Sequence, residues 1–141
     1  MSAPIFLDTG HILALVDADD EYNKEANWAA AAVEGKMVTT EAVLTEIGNA
    51  LSRTRWRQVA IDNIEDLRND PDIEILAVDT LLFDRAFQLY SSRPDKEWGM
   101  SDCISFVVMQ ERGIVEALTT DHHFQQAGFR AILRELKNNS H

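Results

Sequence analysis

Four acidic residues stand inside or against apolar runs. Asp8 ends Ile5-Phe6-Leu7, and Glu46 interrupts Val43-Leu44-Thr45-Glu46-Ile47. Asp102 opens Cys103-Ile104-Ser105-Phe106-Val107-Val108-Met109, and Asp121 follows Ala117-Leu118-Thr119-Thr120. A carboxylate among core-type residues must be paired, protonated or bound to a metal, because burying its charge alone is costly. Four of them, on segments far apart in sequence, suggest one shared site for a divalent cation. Oxygen donors suit hard ions such as Mg²⁺ or Mn²⁺, and no Cys/His spacing suited to zinc accompanies them. Clustered carboxylates around a hard cation support in-line attack of water on a phosphodiester. Taken singly, Asp8 and Asp121 are most simply N-caps, Asp102 a helix-start residue and Glu46 a solvated helix position. Capping, however, does not require apolar flanks on all four.

The elements that must position these residues alternate short apolar runs with amphipathic stretches, which favours an α/β fold with a largely parallel sheet. Strands are expected over 4–7, 36–39, 73–78 and 116–119, with a weaker one at 130–133. Helices are expected over 11–16, 22–34, 41–53, 55–69, 80–92 and 101–112, with Gly35 closing the second and Gly113 the last. In helix 80–92, Phe83, Ala86, Phe87 and Tyr90 recur at helical spacing and predict a core stripe. In an open parallel sheet, ligands bind beyond the carboxyl ends of the strands. Asp8 and Asp121 follow strands directly. Asp102 lies in a first helical turn with Ser101 as its expected N-cap, and Glu46 lies one to two turns into a helix that follows a strand. All four can reach one rim.

Further residues cluster around that rim. Glu46, Asn49 and Arg53 follow i, i+3, i+7 spacing, so Asn49 is expected to orient a ligand or water and Arg53 to contact a phosphate. Arg55 and Arg57 with Trp56 extend the basic cluster, and equally fit a helix terminus and the turn after it. His122 and His123 adjoin Asp121 but are expected to point apart, as helix-start or packing residues rather than a second metal centre. Trp28 with the alanines 29–32 offers a small-residue face for a second subunit or for packing within the domain, and Asp95 reads as a solvated turn residue.

The 141 residues make one domain, 1–141, with 135–141 expected to form a frayed tail that is clearest from Asn138 onward. Twenty-four acidic against 13 basic residues give a net charge of -11, and setting aside the four candidate ligands still leaves -7. That balance argues against broad electrostatic capture of nucleic acid or of an anionic membrane. It leaves room for a groove where a bound cation and a few arginines reverse the field. The lone Cys103 excludes an intrachain disulfide. The N-terminus carries no basic segment before an apolar one, so no signal peptide is expected. No run approaches the roughly 20 apolar residues of a membrane span. A cytoplasmic location is expected.

Four blocks resemble those of the PIN-domain proteins, and most closely the VapC-type toxin ribonucleases. They are Phe6-Leu7-Asp8-Thr9-Gly10, Thr39-Thr40-Glu41 leading to Glu46, Trp98-Gly99-Met100-Ser101-Asp102-Cys103-Ile104-Ser105-Phe106, and Leu118-Thr119-Thr120-Asp121-His122-His123-Phe124. The long tryptophan-to-phenylalanine block with Asp121-x-His123-Phe124 is the specific part. The resemblance implies a single PIN-like domain, a small parallel sheet flanked by helices, and Mg²⁺- or Mn²⁺-dependent cleavage of RNA. It carries the metal-ligand quartet onto Asp8, Glu46, Asp102 and Asp121, with Thr9 and Ser101 as hydroxyl neighbours that help hold a ligand or water. It also implies a homodimer and a cognate antitoxin protein. Gly10 departs from the small polar residue many relatives carry after Asp-Thr.

The leading expectation is therefore a metal-dependent endoribonuclease acting as the toxin of a toxin–antitoxin pair. The alternative is a non-catalytic PIN-fold scaffold that binds RNA or protein, which the acidic surface suits. A phosphatase with an aspartyl nucleophile ranks last, because Asp8 lacks the second aspartate two residues on.

Overall fold

Strands of two to four residues hold together here in one parallel sheet whose central strands are the most buried. The structure, a computed structural model, describes residues 3–139. Its strands are β1 (Ile5–Leu7), β2 (Met37–Thr40), β3 (Ile73–Leu76), β4 (Glu116–Leu118) and β5 (Arg130–Ala131). They form one sheet in the order β3-β2-β1-β4-β5, every neighbour parallel. Phe6 pairs with Val38 on one side and Ala117 on the other, and all three are buried. Central strands of such sheets read as continuous apolar runs, as β1 does.

The helices are α1 (Thr9–Val16), α2 (Asn23–Ala32), α3 (Glu41–Ala50), α4 (Thr54–Asn69), α5 (Thr80–Ser92), α6 (Met100–Arg112), α7 (His122–Gln126) and α8 (Ile132–Asn138). They pack in pairs, α1 on α2, α3 on α4 and α5 on α6, with α8 closing against α2. Helix α6 is the buried one, apolar from Cys103 to Met109 apart from Ser105. It stops at Gly113, whose φ of 66° is left-handed and suits glycine. Among the described residues no helix is long and apolar enough to cross a membrane.

Strand order explains where the chemistry falls. β1 has β2 on one side and β4 on the other, so the connections leave it in opposite directions and open a crevice at its carboxyl end. An edge-to-face aromatic chain braces that end. Phe106 of α6 meets Trp98 at 5.1 Å and Phe124 of α7 at 5.0 Å between ring centroids. The Trp98 indole N–H also donates to Gln126 Oε1 at 3.0 Å. The two loops that deliver Asp102 and Asp121 are thereby pinned to one aromatic cluster.

Several expectations are corrected. The core face of α5 is Leu82 and Ala86 with Leu89 beside them, while Phe83, Phe87 and Tyr90 are 47%, 52% and 45% exposed and stack in a ladder. Ala86 is buried as expected, but the rest of the stripe is offset by one residue, about 100° of helix. Helix α3 ends at Ala50 and Arg53 is the N-cap of α4, so the helical line from Glu46 to Arg53 does not exist. Helix α2 ends at Ala32, before Gly35. The strand expected over 130–133 is two residues long and turns into α8, which runs through Asn138. Residues 135–138 are therefore helix and not tail: Leu133 is buried, Leu136 packs on the core, and Arg134 donates to Tyr22 Oη and Thr120 O. Residues 140–141 of the expected tail lie outside the described residues.

Candidate active site

Asp8 sits immediately after β1, where the chain turns into α1. Its carboxylate makes no helix-capping bond; it is buried and accepts the Thr119 hydroxyl at 2.7 Å. Glu46 comes from the second turn of α3 and accepts the Thr9 hydroxyl at 3.0 Å. Asp102, in the first turn of α6, accepts the Gly99 amide at 3.1 Å. Asp121 follows β4 as the N-cap of α7 and accepts the His123 amide at 2.9 Å. Capping is thus a real part of what Asp102 and Asp121 do, and no part of what Asp8 does.

One oxygen of each carboxylate is tied in this way. Glu46 Oε2, Asp102 Oδ1 and Asp121 Oδ2 accept no hydrogen bond among the described residues. Oxygens held in place yet left without donors are what an oxygen-ligated cation needs.

The electrostatics agree. Burial pushes the Asp8 carboxyl up to about 7, and the charges of Glu46 and Asp102 push the same way against the Thr119 hydroxyl and the Thr9 amide. Glu46 is raised by burial, then by Asp102 and Asp121, against its bond from Thr9. Asp102 is raised by burial and then by Asp121, against the Gly99 amide and His123. The charges of Glu46 and Asp102 thus act on Asp8, and the charge of Asp121 acts on Glu46 and Asp102. A divalent cation relieves that repulsion directly. The donor set, four carboxylates with hydroxyl and amide supports, fits a hard ion, and Asp8, Glu46, Asp102 and Asp121 would hold it.

Several residues contribute that the sequence did not single out for these jobs. Thr119 donates to Asp8 and accepts the Asp121 amide at 3.0 Å, so one buried hydroxyl fixes two of the acids. Thr39 donates to Leu7 O at 2.7 Å and ties β2 to the end of β1. His123 is not a simple packing residue: its Nδ1 lies 3.0 Å from Asp102 Oδ2 and 3.3 Å from Asp121 Oδ1. A threonine inside a buried strand and a histidine two places after an acid were the available signals.

Others stay apart. Ser101 is the second residue of α6, not its N-cap, which is Gly99; its hydroxyl makes no bond among the described residues. Asn49 is exposed on α3 without a hydrogen bond to any of the acids. Arg53 is exposed beyond the end of α3. Asp95 forms an exposed ion pair with Arg93, as a solvated turn residue does.

Comparison with known proteins joins this geometry to a family. Residues 5–130 match the model of the PIN domain. The chain is 28% identical over 131 residues to the 23S rRNA-specific endonuclease VapC20 of Mycobacterium tuberculosis, covering 93% of this chain and 99% of that one. The crystal structure of M. tuberculosis VapC20, described as a sarcin-ricin loop cleaving toxin, superposes with a TM-score of 0.84 at 26% identity, over 91% of this chain and 98% of that one. The crystal structure of DNA-bound VapBC from Salmonella typhimurium shares the fold, with a TM-score of 0.62 at 18% identity over 92% and 96% of the two chains. Nucleases of the PIN type generally work with a divalent metal. By its sequence match from 5 to 130, its parallel sheet and its overall likeness to VapC20, this chain belongs to the PIN-domain family of nucleases.

Proposed function

We propose that this chain is a Mg²⁺- or Mn²⁺-dependent endoribonuclease and the toxin of a type II toxin–antitoxin pair, acting in the cytoplasm as a homodimer. The observation that carries the proposal is the convergence of Asp8, Glu46, Asp102 and Asp121 at one end of β1, each charge felt by the next. Likeness to a 23S rRNA-specific endonuclease supports RNA as the substrate and makes ribosomal RNA the first to try. Likeness to a toxin supports a cognate antitoxin protein as the partner.

When bound, the ion supplies charge neutralisation at the scissile phosphate and an activated water. The chain supplies the rest. Thr119 and Thr9 hold Asp8 and Glu46 in place, and Gly99 and His123 hold Asp102. Asn49 and Ser101 are assigned to orienting substrate or water at the rim, and Arg53 to a backbone phosphate of the RNA. The exposed Arg55 guanidinium lies 5.2 Å from the Trp56 ring, which packs on the core, so Arg55 is held over the same turn as a second cation for the RNA backbone. Attack by water with the 3′ oxygen leaving gives a 5′-phosphate end.

The homodimer is assigned to α5. Among the described residues, four of the seven exposed large apolar side chains, Leu81, Phe83, Phe87 and Tyr90, lie on it. The helix carries only Asp84 and Arg85 as charges, so it is a neutral strip on a molecule of net charge -11. Two copies can meet there without like-charge repulsion.

Asp102→Asn tests the catalytic part. The variant should keep its melting transition in chelator and lose Mg²⁺-dependent RNA cleavage by several orders of magnitude. Cleavage at the wild-type rate by the purified variant would leave the quartet without its assigned role, as the scaffold alternative requires.

A further inference from the structure

Among the described residues, Asp121, His122 and His123 offer three ligand-type atoms that all lie within 4.8 Å of one another. Asp121 Oδ1 is 3.3 Å from His123 Nδ1 and 3.8 Å from His122 Nδ1. A tetrahedral ion with nitrogen and oxygen ligands at about 2.0–2.1 Å holds neighbouring ligand atoms about 3.3–3.4 Å apart. The Asp121–His123 separation already matches what such an ion imposes, and the Asp121–His122 separation is about half an ångström longer, on the exposed side where His122 can turn.

We propose that Asp121, His122 and His123 form a second cation site at the rim of the carboxylate crevice, one that takes a late first-row transition ion such as Zn²⁺ and, when filled, stops hydrolysis. Two imidazoles and one carboxylate are a donor set that such ions prefer, whereas Mg²⁺ favours oxygen ligands alone. The two sites thus differ in chemistry while sharing Asp121.

Recruitment of the ligands disturbs little. His122 is 55% exposed and makes no hydrogen bond among the described residues, so turning it to an ion breaks none. Asp121 and His123 are already held together by the His123 amide, and Asp121 is anchored through Thr119. What does change is the neighbouring acid. His123 Nδ1 lies 3.0 Å from Asp102 Oδ2, and an ion on that nitrogen removes the contact. Zinc on this rim takes His123 away from Asp102 and engages Asp121, two of the parts on which the proposed nuclease depends. The inhibitory half of the proposal rests on that nuclease assignment; the binding half does not.

The test uses the full chain, freed of metal by chelator, with Zn²⁺ alone as the titrant in calorimetry. With Mg²⁺ saturating the four carboxylates, wild type should bind Zn²⁺ at one further site, and His122→Ala should weaken that binding by at least tenfold. Mg²⁺ binding and Mg²⁺-dependent cleavage should be unchanged in the variant. In the presence of Mg²⁺, added Zn²⁺ should suppress cleavage by wild type at concentrations that His122→Ala tolerates. Absence of Zn²⁺ binding to wild type, or equal affinity in His122→Ala, overturns the site. His122-dependent Zn²⁺ binding that leaves Mg²⁺-dependent cleavage untouched overturns the switch. Should no RNA be cut with any metal while Zn²⁺ still binds through His122, the nuclease assignment falls and the cation site stands.

Discussion

Thr119 is the residue on which the site leans most. Its hydroxyl donates to Asp8 and receives the Asp121 amide, so Thr119→Val removes both bonds with almost no change of shape. Leaving buried polar groups unpaired costs about 1–3 kcal/mol. Loss of such a supporting group lowers metal affinity by about 10- to 100-fold. We expect both effects, read by urea melts and Mn²⁺ titration; a variant matching wild type in each would separate Thr119 from the site. Asp8 makes a second prediction, about pH. Its folded value of about 7 lies above the ordinary 3.8, so the metal-free fold gains from a proton there and loses that gain as pH rises through about 7. His11 acts oppositely: burial lowers it from 6.5 to about 4, and the stability of its neutral form is present above pH 6.5 and lost as pH falls through about 4. Asp8→Asn removes the first effect and keeps the second. In chelator, the slope of unfolding free energy against pH between 4 and 7 should become more positive than in wild type. An unchanged slope in urea melts at pH 5, 6 and 7 would count against a protonated Asp8.

The first turn of α1 and the turn between β4 and α7 touch at Gly10. A Cβ there would lie 2.5 Å from Thr120 Oγ1 and 3.3 Å from the Thr120 amide nitrogen. Gly10→Ala should therefore wedge apart the elements that carry Asp8 and Asp121, at a cost of about 1–3 kcal/mol, and lower cleavage at least tenfold. Thr120→Ala, by removing Oγ1, should restore much of both when the two are combined. Failure of that rescue would mean that the two elements do not communicate through this contact. This contact explains why glycine suits position 10 of this chain. The sequence revealed much of the element plan: α5 spans the expected residues, Gly113 ends α6 and all five strands are parallel. It missed where periodicity was ambiguous or contacts were distant. On α5 the aromatics outweighed the equally periodic Leu82 and Leu89; Ala86 of the expected stripe is buried, and the rings proved exposed. Arg53 left the Glu46 stripe because α3 stops at Ala50, a boundary that no glycine or proline marks. Thr119 and His123 could not be assigned their partners because those lie on other elements, beyond the reach of any local pattern.

For the molecule as a whole, charge and shape divide the surface. Net charge of -11 discourages both RNA and a second copy of the chain except where it is locally cancelled. In the proposed nuclease a cation held by the four acids would be one such place, and the neutral face of α5 the other. Phe87→Glu puts a charge in the middle of the α5 ladder, where each ring lies 6.4 Å from the next. Sedimentation should then show a monomer in place of a dimer, with the melting temperature of the fold little changed because Phe87 is already half exposed. A dimer that persists would move the contact elsewhere. The bond from Thr119 to Asp8 closes a span of 111 positions, and Asp121 comes later still. A chain halted in translation before β4 therefore carries only three of the four acids, with Asp8 unsupported. The crevice is thus assembled only after β4 has been made, whatever the order in which the other three acids appear.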